Sequence, residues 1–331
     1  MAGQNSRKSK EANLSSFLNR LHARYNKKQY LSSDPLEFAH LYEDPWDQEV
    51  VALLAAVLAY GNVKQIRRSI EGVLERIRET GKSPSQFVRS LDQVDFLNSA
   101  QQSFESFVHR FNRGQDIILL FCLLNRSWKT YGSLGSHFLQ FLAQDDLTIE
   151  SALTQFIADW LSWIASGDPN WIQLSSFSYL LTSPADGSCC KRWCMFLRWM
   201  TRNDGLDLGL WVKQGPLSKT FPKGRKLNTA HLVIPLDTHT GRISQYLGLT
   251  QRKSMNWLAA LEVTASLRKC DPTDPVRYDF SLSRLGILAL CKKEFRREIC
   301  QNCELLDVCT YAKDSISKMA SSKHVVIKVS K

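Results

Sequence analysis

Apolar residues recur at helical spacing along most of the chain. Ile66, Ile70, Val73, Leu74 and Ile77 fall on one face of a single helix, the three-and-four spacing that lets a helix bury one stripe. Just before them, residues 49–60 (EVVALLAAVLAY) are apolar nearly all round, which predicts a helix buried on every side. Gly61-Asn62 predicts a turn between the two. Residues 117–131, 153–164 and 188–200 read as further helices, the last following Gly187. Residues 201–231 gather most of the local Gly, Pro and Lys and predict an irregular insertion. Helical spacing returns over 237–247 and 253–267. Asp271-Pro272-Thr273-Asp274-Pro275 then predicts the start of a last helix, with Pro275 in its first turn. Strand-like alternation is almost absent, and no internal repeat is evident. The pattern predicts an all-α protein with one helical domain over residues 13–290.

Charge adds a polarity to this picture. The chain has 331 residues and a net charge of +11. Residues 1–30 hold seven Lys/Arg against Glu11, and residues 291–331 hold nine Lys/Arg against five Asp/Glu. These ends carry +6 and +4, leaving +1 for everything between them. A polyanionic partner met by the two ends would account for this; basic tails that aid solubility are the plainer alternative. Residues 1–12 lack a periodic apolar pattern and predict a disordered basic arm. Residues 312–331 read as a basic tail. The chain holds no run of eighteen apolar residues and no hydrophobic stretch in its first thirty. The expectation is therefore a cytoplasmic protein, with neither membrane span nor secretory signal.

The candidate chemistry lies toward the C-terminus. Cys291, Cys300, Cys303 and Cys309 fall within nineteen residues as Cys-x8-Cys-x2-Cys-x5-Cys. Thiols this close in a reducing compartment point to metal ligands, and four thiolates suit tetrahedral Zn²⁺. The loop, taken as 291–311, contains Lys292, Lys293, Arg296 and Arg297, placed to meet phosphates. Cys122, Cys194 and Cys270 read as small buried hydrophobes. Arg192, Arg198 and Arg202 interleave with Trp193 and Trp199. That mixture suits nucleic-acid binding, or else a tryptophan core with a solvated arginine edge. Asp237, ahead of Thr238 and His239, is a helix cap by composition alone.

The cysteine spacing and the segment Leu236-Asp237-Thr238-His239 resemble the endonuclease III-like, helix-hairpin-helix DNA glycosylases. The Cys-x6-Cys-x2-Cys-x5-Cys loop of that family carries a [4Fe–4S] cluster, and its Val-Asp-Thr-His segment holds the catalytic aspartate. Asp34-Pro35-Leu36-Glu37-Phe38 and residues 49–61 look like the first helices of that fold. Residues 110–116 (RFNRGQD) are similar to the turn before its middle helix. The family's glycine-rich hairpin is not recognisable; Pro184-Ala185-Asp186-Gly187 would stand in its place. The chain also looks like an uncharacterised bacterial family sharing a Phe-Leu-Arg-Trp-Met helix followed by Pro-Leu-Asp-Thr-His.

The glycosylase resemblance implies a monomeric DNA-binding enzyme of base excision. Asp237 would stabilise charge on the sugar or activate a nucleophile. Lys191, or failing it Lys219, would form a Schiff base. Asn62 and Gln65 would fill the gap left by an extruded base, and Arg192 would meet the nucleic acid. The four cysteines would hold a [4Fe–4S] cluster. The alternatives are a non-catalytic nucleic-acid-binding protein and an iron–sulfur redox protein.

Overall fold

The computed structural model describes residues 2–166, 176–292, 294–303 and 305–327, with side chains from 11 to 319. The protein is predominantly helical. Its chain forms two compact units, a central one from Lys27–Leu232 and a terminal one from Met1–Asn26 with Val233–Lys331.

In chain order the helices are α1 (Ala2–Tyr25), α2 (Pro45–Val57), α3 (Val63–Glu79), α4 (Pro84–Ser90), α5 (Val94–Phe104), α6 (Gly114–Tyr131) and α7 (Leu134–Leu139). They continue as α8 (Glu150–Ala165), α9 (Lys191–Thr201), α10 (Thr238–Tyr246), α11 (Trp257–Arg268), α12 (Asp279–Ile287), α13 (Arg297–Cys300) and α14 (Thr310–Ile327). A two-residue hairpin, β1 (Val108–His109) against β2 (Asn112–Arg113), precedes α6.

The core of the central unit is α2, as its all-round apolar sequence requires. Asp44 caps it, accepting from the amides of Trp46 and Asp47, and Pro45 occupies its first turn. Val50 to Val57 are all buried, and α2 packs on α4 and α9. Within this core Glu49 is fully buried, accepting 2.8 Å bonds from the indole N–H groups of Trp128 and Trp211. Burial pushes its carboxyl up to about 7 against these donors. Helix α3 buries the predicted stripe Ile66, Ile70, Val73, Leu74 and Ile77. Gly114 opens α6 where the chain passes Phe104: a Cβ there would meet the Phe104 carbonyl at 1.9 Å.

Residues 201–231 are irregular, as composition predicts, yet firmly anchored. Leu206, Leu208, Leu210, Trp211, Leu217 and Leu227 are buried. Arg198 of α9 and Arg202, the residue that caps its C-terminus, reach Asp207 at 3.2 and 2.6 Å, and all three side chains are buried. The reading of these arginines as a solvated edge or a phosphate surface is thereby corrected: they neutralise a buried carboxylate. Trp193 and Trp199 are core.

In the terminal unit α1 packs on α12, and the Tyr278 hydroxyl donates to Asn19 Oδ1 at 3.0 Å. Three sequence expectations change here. The one helical domain predicted over 13–290 is divided between two units. Helix α1 begins at Ala2, where a disordered arm is predicted over 1–12. Phe17, Leu18, Leu21 and Tyr25 anchor the second half of α1, and helix propagates backward through good formers such as Ala12, Glu11 and Lys10. The helix predicted from Asp271 begins only at Asp279. Asp271 Oδ1 accepts from the amides of Thr273 and Asp274, and Oδ2 holds Arg277 at 2.8 Å. This side-chain turn competes with the helix and delays it.

Candidate functional site

The four cysteines are brought together. Helix α12 ends at Ile287, and the chain turns back through Ala289 in the left-handed region (φ 54°), so that the Cys291 amide donates to Leu285 O at 2.8 Å. Cys300 closes the single turn of α13. The Cys303 amide donates to Cys300 O at 3.3 Å, and the Cys309 amide to Leu305 O at 2.7 Å, just ahead of α14. The result is a coil around one cavity lined by Cys291, Cys300, Cys303 and Cys309. Its remaining wall is mostly apolar, with Leu290, Ile299, Leu305 and the stacked rings of Tyr246 and Tyr311, 4.5 Å apart.

The space open to a water centre is ≈ 30 Å³. Adding a water radius of about 1.4 Å on every side gives a void roughly 6–7 Å across, room for several atoms. Among the described residues no three His, Cys, Asp or Glu side chains converge closely enough to hold one metal ion.

Two sulfurs accept backbone bonds, Cys303 Sγ from Leu305 N and Cys309 Sγ from Ala312 N, both 3.4 Å. Burial pushes the Cys291 thiol up to about 11, with the other three thiols adding to the rise and Arg242 opposing it. Burial also raises Cys303 and Cys309. Raised in this way, the Cys291, Cys303 and Cys309 thiols stay protonated at neutral pH unless a cation takes the place of their protons. Arg242 Nη2 also reaches Cys291 O at 3.5 Å. Lys292, Arg296 and Arg297 are exposed on this coil. Lys293 lies outside the described residues.

The predicted catalytic pair falls in two separate units. Asp237, in the terminal unit, caps α10: its Oδ1 accepts from His239 N at 2.8 Å and Thr240 N at 2.7 Å. Oδ2 accepts no hydrogen bond among the described residues. His239 packs its ring against Gly286, where a Cβ would meet Nδ1 at 2.4 Å. Lys191, in the central unit, opens α9 and donates through Nζ to Ala59 O at 3.1 Å. Arg192 donates to Val57 O at 3.0 Å and to Tyr179 O. Both cations thus satisfy carbonyls at the C-terminal end of α2, where the helix dipole favours positive charge. Arg192 is buried rather than presented to a phosphate.

Asn62 is exposed and caps α3, accepting from Lys64 N at 2.9 Å; Gln65 Nε2 lies 3.4 Å from Ser69 Oγ. Lys219 is exposed on a single 3₁₀ turn.

One arrangement has no signature in the sequence. Ser127 Oγ lies 3.0 Å from His137 Nδ1, and His137 Nε2 lies 3.1 Å from Asp159 Oδ2. Ser127 and His137 are fully buried. Ser127 Oγ donates to Leu123 O and accepts from Trp160 Nε1, each at 2.9 Å. A serine so enclosed offers no path to a substrate, and the three residues tie α6, α7 and α8 together.

The profile of a family described as "Protein of unknown function (DUF2400)" matches residues 34–288. No curated protein and no solved structure matches the chain. This match corrects the assignment to the helix-hairpin-helix DNA glycosylases: the family found over most of the chain is an uncharacterised one. The matched span ends before Cys291.

Proposed function

For a chain that belongs to the DUF2400 family, whose description names no activity, we propose that the protein binds nucleic acid and carries a [4Fe–4S] cluster on its four-cysteine coil. The observation that carries this reading is the single cavity lined by all four thiols. The void admits several atoms, whereas zinc draws four sulfurs to about 2.3 Å from one point. Amides already donate to two of the sulfurs, the kind of contact that supports thiolate ligands. A bound cluster would supply a fixed centre that orders the coil.

The rest is done by the chain's own residues. Lys292, Arg296 and Arg297 stand on the surface of that coil without an ion pair among the described residues, free to meet phosphates. Phosphate contacts position a nucleic acid without reading its sequence. Asp237 and Lys191 have structural tasks at helix ends, and base excision forms no part of the proposal. Among the described residues no helix is long and apolar enough to cross a membrane.

The test is anaerobic purification from iron-replete cells, followed by iron and sulfide analysis. About four irons per chain are expected, with loss of metal in Cys303→Ser. Stoichiometric zinc in place of iron, or full metal retention in Cys303→Ser, would overturn the cluster. Nucleic-acid binding that is absent at low salt would overturn the rest.

A further inference from the structure

At the surface of the central unit, aromatic rings and guanidinium groups gather around the tip of the β1–β2 hairpin. Phe111 is 57% exposed and Tyr179 42%. Their ring centres stand 5.3 Å apart at 64°, and Tyr60 meets Tyr179 at 5.0 Å. Arg192 lies 5.0 Å from the Tyr60 ring and 4.9 Å from the Tyr179 ring. Arg110 lies 6.0 Å from Tyr60 and 5.4 Å from Phe111. Unlike Arg192, Arg110 is exposed and has no hydrogen bond or ion pair among the described residues.

Below the rings the scaffold is well tied. The Tyr60 hydroxyl lies 2.5 Å from Asn112 Oδ1 and 3.0 Å from His109 O. Asn112 Nδ2 donates to Asp116 Oδ2 and to Ser176 O. Asp116 also accepts from Arg113 N and Ser176 Oγ. The tip itself is strained: Arg110 has φ 54°, a conformation that normally falls to glycine. Strain of this kind gathers at functional sites. Gly61, with φ 99°, lets the arginine lie against it, since a Cβ there would meet Arg110 Cδ at 2.9 Å. The carboxylate acting on Tyr60, Asp116, is fully buried with both oxygens engaged, while the exposed charges of the hairpin, Arg110 and Arg113, are cationic.

Exposed rings beside an unpaired guanidinium match an anionic polymer whose monomers carry a flat face. We propose that this surface is a stacking platform for single-stranded nucleic acid, in which Phe111 and Tyr179 take an unpaired base and Arg110 meets the adjoining phosphate. Every base has a π face, so such a platform tolerates any sequence, whereas bases stacked within a duplex offer it no open face. The inference rests on the nucleic-acid reading above and names the form of the substrate.

The test is fluorescence anisotropy at low salt with a labelled 12-nucleotide single strand and with the same sequence as a duplex. Wild type should prefer the single strand. Phe111→Ala, at an exposed position outside the core, should weaken single-strand binding roughly 5- to 150-fold and leave duplex binding unchanged. Phe111→Trp should restore it. A Phe111→Ala affinity within twofold of wild type overturns the platform while leaving the broader reading intact. Duplex binding without single-strand binding does the same. Failure of wild type to bind either form overturns both. Self-association lost in Phe111→Ala, with no strand bound, would assign the patch to protein contact and overturn the platform.

Discussion

Replacing Glu49 with glutamine isolates the titration of one buried carboxyl. Burial lifts its value from 4.5 in the open chain to about 7 in the fold, despite indole donors from Trp128 and Trp211. The folded state therefore holds the proton more tightly than the unfolded state. The stability this contributes is fully present below pH 4.5 and is lost as pH rises through 7. At 1.36 kcal/mol per unit, the loss between pH 5 and pH 8 is about 2.5 kcal/mol. Glutamine cannot ionise; its NH2 group, unlike an acid hydroxyl, cannot accept from the second indole N–H, a cost that is the same at every pH and drops out of the pH dependence. Relative to wild type, Glu49→Gln should gain about 2.5 kcal/mol over this range, or ~5–10 °C in Tm for a unit of this size. His137, which burial holds down at about 3, titrates in the opposite sense: its contribution is lost as pH falls below 6.5. The quantity to measure is therefore the difference between variant and wild type, by thermal or urea unfolding at pH 5, 6, 7 and 8. A difference that stays flat, or that moves in favour of wild type at high pH, would refute the reasoning.

Other substitutions probe the helix cap, the buried ion pair and the coil. Asp237→Ala should lower stability by about 0.5–2 kcal/mol by urea unfolding, while Asp237→Asn, itself a good cap, should stay within a few tenths of wild type. Asp207→Ala removes the carboxylate shared by buried Arg198 and Arg202, of which Arg202 keeps Asp204 at 2.9 Å; a loss of about 3–5 kcal/mol is expected, and a loss below 1 kcal/mol would mean water reaches the cluster. Replacing Lys292, Arg296 and Arg297 together by alanine should flatten the plot of log K against log salt for duplex DNA by up to about 2.7; an unchanged slope would remove these residues from the interface.

The helices most legible in the sequence are those whose burial is continuous. Residues 49–60 and the stripe from Ile66 to Ile77 declare α2 and α3 because every turn faces apolar neighbours. The start of α12 is obscured because the Asp271 turn and the helix use the same residue types. The hairpin at 108–113 contributes two residues per strand, too few for any alternation to register. Arg198 and Arg202 mislead because their partner, Asp207, lies beyond the helix in a segment without periodicity. The cysteine spacing does announce a shared cavity, since a short coil can hardly separate its thiols. The ring platform leaves no such mark: Tyr60, Arg110 and Tyr179 are distant in sequence and meet only after folding.

The pairing of α1 with α12 imposes an order on synthesis. Asn19 and Tyr278 are 259 residues apart, and a ribosome adding roughly 5–20 residues per second takes about 10–50 s to travel between them. During that interval the whole central unit emerges and can close on itself. Phe17, Leu18 and Leu21, buried in the fold, must meanwhile wait without their α12 partner. Helix α1, made before the central unit, is thus completed only after it. Synthesising the 233–331 segment next to the 1–26 segment, ahead of the central unit, would bring the two partners off the ribosome close together.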